Sequence, residues 1–110
     1  MATAKYNQNQ VRYDKKIYLM TKTIVEDEIG NQVSAWAEKM TYAREVNVSS
    51  EEFYNAAVTG LRPETQFEIY KALYNGAEKV KYQGLIYSII RTKNNGDKLI
   101  LTCEKVAADG

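Results

Sequence analysis

Between Lys16 and Lys105 the chain is divided into runs in which apolar and polar residues alternate, and most runs end at a glycine or an asparagine. A period of two with that punctuation describes antiparallel strands joined by tight turns. The strongest instance pairs Leu85 to Lys93 with Lys98 to Lys105 across Asn94-Asn95-Gly96-Asp97. An earlier pair runs from Lys16 to Glu26 and from Gln32 to about Val48, joined by Asp27-Glu28-Ile29-Gly30-Asn31, where Gly30 and Asn31 both accept positive φ. Two further runs, Thr65 to Leu73 and Lys79 to Tyr82, close at Asn75-Gly76 and Gln83-Gly84.

Within the first run Ile17, Leu19, Thr21, Thr23 and Val25 share a face. In the second, Trp36, Met40 and Tyr42 oppose Ala35, Ala37 and Lys39. So long a strand on a small domain is expected to bend or bulge between Lys39 and Arg44. In the run after Pro63, Phe67, Ile69 and Leu73 are expected inward, with Glu68 and Tyr70 outward.

One segment breaks the strand period. Ser49 with Glu52 three residues later matches a capping box, and Phe53, Ala56, Ala57 and Gly60 recur at helical spacing. This predicts a helix of about three turns that stops at Gly60 and Pro63. The fold class expected is mainly β: a small antiparallel β-barrel or sandwich of about six strands with one short inserted helix. Residues 1–13, with four Asn or Gln and no apolar period, read as a flexible arm. Residues 14–106 read as one barrel domain with a helix and loop insertion at about 46–62, and 107–110 as a C-terminal tail. The expected core holds Ile17, Leu19, Trp36, Phe67, Ile69, Ile86, Ile89, Leu99 and Leu101.

The side-chain inventory excludes much chemistry. There is no His in the 110 residues, so triads and imidazole zinc sites lack their central group. The one Cys, Cys103, can form neither an internal disulfide nor a multi-thiolate site, and its parity with Leu99 and Leu101 turns it toward the core. The glycines form no phosphate-binding loop. Glu26-Asp27-Glu28 could in principle supply paired carboxylates or part of a calcium site, but three adjacent acids at a turn usually form a solvated tip. The reading is a non-enzyme with no cofactor, no catalytic residue and no metal. Without an apolar run of about 20 residues, a membrane span is not expected, and the chain is expected to be soluble and made in a reducing cytosol.

Charge position is more telling than its total of +1. Residues 1–25 carry five bases and one acid, 26–76 nine acids and four bases, and 77–98 five bases and two acids. Either these charges interleave once folded, or one face of a protomer meets an oppositely charged face of another. The nine tyrosines suit half-buried strands and interfaces alike.

In order and spacing, the opening strand, the Asp27 to Gly30 turn followed by Trp36, the helix from Phe53 to Gly60 and the run Phe67-Glu68-Ile69-Tyr70 resemble the head-tail joining proteins of long-tailed bacteriophages. The segment Val80-Lys81-Tyr82-Gln83-Gly84-Leu85-Ile86-Tyr87-Ser88-Ile89-Ile90, followed by a Gly-containing turn and Leu99-Ile100-Leu101, is similar to that family's Tyr-x-Gly-x-x-Tyr-x-Ile hairpin. The likeness covers about Asp14 to Val106. This chain departs from it in carrying Glu68 and Lys71 on a strand where family members often show more Arg.

The resemblance implies a small barrel that assembles as a head-completion or stopper ring under the portal and its adaptor, docks the tail and helps retain DNA. Its partners would be copies of itself, the portal or adaptor ring and tail proteins, with DNA passing only transiently and no membrane. Its location would be the virion head-tail interface, after assembly in the host bacterial cytoplasm. Expected assembly contacts are Tyr6, Arg12 and Tyr13 in the arm, Glu26, Asp27 and Glu28 in the first turn, and Glu51, Glu52, Tyr54 and Arg62 around the helix. Some of the acids are expected near the ring axis, where a strong cationic grip on DNA would hinder passage. Two alternatives stay open. One is a tail-completion protein of the same assembly. The other is a single-stranded nucleic-acid-binding barrel of the oligonucleotide-binding type, with Tyr18, Tyr42, Tyr70, Tyr82 and Tyr87 as its stacking platform.

Overall fold

The alternating runs pair edge to edge until the sheet closes on itself. The computed structural model describes residues 12–106. In it β1 (Lys15–Glu26), β2 (Gln32–Val46), β3 (Thr65–Tyr70), β4 (Lys79–Tyr82), β5 (Leu85–Asn95) and β6 (Lys98–Lys105) form a closed barrel in the order β1-β2-β3-β6-β5-β4. Every pairing is antiparallel. The fold is thus a mainly β, six-strand closed barrel with one short helix, α1 (Ser50–Ala57), inserted between β2 and β3.

Local chemistry sets the ends of these elements. Ser49 caps α1, its hydroxyl accepting from the Glu52 amide at 3.1 Å. Past Ala57 the chain makes an irregular last turn. There Gly60 N donates to Ala57 O and Leu61 N to Ala56 O, and Gly60 takes φ 84°, a Schellman closure that favours glycine. The helix proper is therefore shorter than the three turns expected, its third turn being this closure. The β4–β5 turn needs two positive φ values, supplied by Gln83 (53°) and Gly84 (79°).

The core fills the barrel with Ile17, Leu19, Ala43, Phe67, Ile69, Val80, Tyr82, Tyr87, Leu99, Leu101 and Cys103. Phe67 packs edge-on against Tyr82 and Tyr87, with ring centroids 5.0 and 6.3 Å away. Two residues expected in the core are not in it. Trp36 lies on the outward face of β2, beyond the part of the barrel that closes, and remains 36% exposed. Ile86 is half-buried because the inward position beside it belongs to Tyr87. Ile89 is half-buried but packs against the core.

Three strand details also differ from expectation. The strand after Pro63 ends at Tyr70 and gives way to a 3₁₀ turn over Lys71–Leu73. No bulge interrupts β2 near Lys39 to Arg44, where the register with β1 runs unbroken. This strand need not curl with the barrel, because its first half leaves it as a two-stranded ribbon with β1. The bulge falls in β5 instead, where Ile89 faces Cys103 and Arg91 faces Thr102, leaving Ile90 unpaired.

Cys103 is fully buried, and burial pushes its thiol up to about 12. Its thiolate is scarce at neutral pH, so a thiol reagent should label it only after denaturant opens the barrel. Rapid labelling of the native chain would contradict this packing.

Candidate assembly surfaces

Glu68 alternates outward from Phe67 and Ile69 as its strand parity requires, yet it is only 3% exposed. It points outward as expected, and neighbouring side chains cover it. Its Oε1 accepts from the Tyr13 hydroxyl at 2.9 Å and from Arg44, whose Nε and second guanidinium nitrogen lie at 3.0 and 2.9 Å. Its Oε2 accepts from Asn95 Nδ2 at 2.8 Å. Burial alone would raise this carboxyl, but hydrogen bonds from Asn95, Arg44 and Tyr13 outweigh it and hold Glu68 below its ordinary value. Burial and the bond to Glu68 both raise the Tyr13 hydroxyl. The Tyr13 ring rests 5.1 Å from that of Tyr70, and Lys98 Nζ lies 4.7 Å from the Tyr70 centroid. One carboxylate thus joins the segment entering β1 to β2, β3 and the end of β5.

A second surface is the ribbon. Past Met20, β1 has no strand on its β4 side, and the register with β2 continues to Glu26↔Gln32. Residues 22–34 are all exposed, including Ile24, Val25, Ile29 and Val33. Trp36 sits opposite Lys22 and lies 5.6 and 5.1 Å from the ammonium groups of Lys22 and Lys79. At the tip Asp27 is occupied by its own turn, its Oδ1 accepting from Ile29 N at 3.0 Å and Asn31 N at 2.8 Å.

The third surface surrounds α1, which lies between β2 and β3 in the chain and buries Ala56. Glu52 makes an ionic contact with Arg91 at 3.3 Å, without a directed hydrogen bond at Oε2. Arg62 N donates to Glu104 Oε2 at 3.0 Å.

The structure divides the expected contact residues among these surfaces. Tyr6 lies outside the described residues. Arg12 is exposed at the start of the described chain, and Tyr13 is built into the Glu68 cluster. Glu26, Asp27 and Glu28 gather at the ribbon tip, while exposed Glu51 and Tyr54, half-buried Glu52 and exposed Arg62 cluster on or just after α1. Sequence reasoning missed Arg44 and Asn95. Their only signal was a carboxylate between two core residues, because both donors come from distant strands.

Part of the charge segregation disappears on folding. Glu38 pairs with Lys81 at 2.8 Å and Glu52 with Arg91, each joining the acidic middle to the later basic segment. Among the described residues Glu26, Asp27, Glu28 and Glu51 enter no ion pair. Nor do the described residues contain a cluster of three or more His, Cys, Asp or Glu that could hold a metal ion. No helix among them is long and apolar enough to cross a membrane. The suggested base-stacking platform is split, since Tyr82 and Tyr87 point into the barrel while Tyr42 and Tyr70 are exposed outside it.

A family model described as "Phage head completion protein" matches residues 9–106. The solution structure of protein SF1141 from Shigella flexneri 2a is similar with a TM-score of 0.70, over 93% of this chain and 98% of that one. At 19% sequence identity that likeness shows the fold alone. No match was found among curated proteins.

Proposed function

The chain belongs to the phage head completion protein family, and on that premise we propose that it forms a ring that joins the DNA-filled head to the tail and helps retain the packaged DNA. The observation that carries this reading is the family match, which spans every strand of the barrel. The role is structural. Barrel closure supplies a stable body, and the ribbon, the α1 region and the segment before Tyr13 supply contacts to neighbours. The partners are copies of this chain, a portal or adaptor ring and tail proteins, at the virion head-tail interface after assembly in the bacterial cytoplasm. DNA meets the ring only in passing.

The single-stranded nucleic-acid alternative has less support, because its five tyrosines do not share a face. The decisive experiment removes the chain from an otherwise intact phage or prophage and images the particles. Heads that package DNA, lose it and fail to acquire tails are the expected result, with rescue by the chain supplied in trans. Heads that keep their DNA but stay tail-less would move the role to tail completion. Infectious tailed particles without the chain would overturn the proposal.

A further inference from the structure

The ribbon and a groove on the same chain carry opposite charges and uncovered strand edges. β4 flanks β1 only over Tyr18–Met20 and flanks β5 only over Leu85–Ser88. One more bond, Ile89 N to Glu78 O, extends that pairing. Beyond it, residues 90–95 of β5 have no strand on that side. A groove of about 530 Å³ lies there, lined by Tyr74, Ala77, Lys79, Ile89, Ile90 and Arg91 among others. The bulge leaves Ile90 without a partner in β6. Two cations, Lys79 and Arg91, and one acid, Glu78, are among the residues that line this groove. Arg91 also meets Glu52 of α1 at 3.3 Å, whereas Lys79 enters no ion pair among the described residues.

The ribbon has the opposite character. Its tip carries Glu26, Asp27 and Glu28 around Ile29, which is 81% exposed. Ile24 and Val33 are 58% and 41% exposed on the strands behind it. A two-stranded hairpin with uncovered apolar side chains and free edges is marginal in water, and natural proteins usually cover such edges. Since acid lies on the ribbon and base on the groove, the fit is between two different patches of identical chains. Such a head-to-tail contact repeats around a ring.

We propose that the β1–β2 ribbon of one copy docks in the groove between residues 74–79 and 88–92 of a second copy, seating Ile29 near Ile90 with the tip acids facing Lys79 and Arg91. This rests on the ring reading above and assigns the tip acids to a neighbouring copy rather than to the channel axis.

The test replaces two surface residues with cysteine, Ile29→Cys and Ile90→Cys, in particles assembled with the variant chain in place of the original. After mild oxidation, the double variant should give a ladder of linked copies on a non-reducing gel, which neither single variant gives. Cys103 is buried and should stay silent. Particles that carry the double variant at the normal level yet yield only monomer would overturn the docking and leave the ring reading standing. Absence of the unaltered chain from particles would instead defeat the ring reading itself. A second variant, Glu26→Lys with Glu28→Lys, spares the Asp27 turn and should lose incorporation while keeping its circular dichroism spectrum. Undiminished incorporation would also overturn the docking.

Discussion

Phe67→Ala should cost about 3–5 kcal/mol and lower the thermal midpoint by roughly 15 °C or more. Phe67 is fully buried at the centre of the barrel, where three strands contribute aromatic rings: Phe67 from β3, Tyr82 from β4 and Tyr87 from β5. Truncation to a methyl group removes the ring that both tyrosines meet edge-on. Collapse cannot easily fill the space, because the Tyr82 hydroxyl is drawn toward Glu45, 3.5 Å away, and closed strands cannot slide inward singly. Phe67→Leu keeps most of the volume and should cost clearly less. Urea unfolding of both variants, followed by far-ultraviolet circular dichroism, checks this. A loss below about 1 kcal/mol for the alanine variant would mean that the barrel interior does not carry the stability.

Much of this interior was legible because strand parity is strict. Once Phe67 was placed inward, Ile69 followed, and Leu99, Leu101 and Cys103 took matching positions across the β3–β6 register. The helix start was legible for the same local reason, a Ser hydroxyl three residues before Glu52. Parity could not say where a strand leaves the barrel. Trp36 sits on an outward face and on the ribbon, so its bulk suggested a core that is not there. Parity also says which way a side chain points but not what lies over it. Glu68 points outward as expected, and its burial depends on Tyr13, 55 residues earlier, and Asn95, 27 residues later. The bulge at Ile90 was hidden because two isoleucines in succession fit either side of a half-buried strand. The proposed assembly surfaces were legible only as charge. The acids at 26–28 stood out in the sequence, whereas the groove at 74–79 and 88–92 arises from how far β4 extends.

Arg44→Ala is expected to cost about 2–3 kcal/mol at neutral pH, more than an ordinary surface ion pair, because the carboxylate it leaves behind is buried. Arg44 itself is 35% exposed, and Glu68 keeps the Tyr13 and Asn95 donors, so the cost should stay below that of breaking a fully buried pair. Removing the charge as well reverses part of the loss: Arg44→Ala with Glu68→Gln should be more stable than Arg44→Ala alone, since no buried anion then lacks its cation. The pH dependence follows from the same geometry. Glu68 is held below its ordinary value of 4.5 in the folded chain, so its contribution is complete above that pH. It is lost as the pH falls through the folded value. The original chain should therefore lose stability on acidification below about pH 4.5 more steeply than Glu68→Gln does. Urea midpoints for the four chains, measured from neutral pH down to pH 3, test both claims together. If Arg44→Ala costs no more than about 0.5 kcal/mol and Glu68→Gln follows the original profile, the cluster is a solvent-screened surface contact. If the losses appear as expected, the cluster fastens Tyr13 to the barrel through a buried carboxylate that needs its cation.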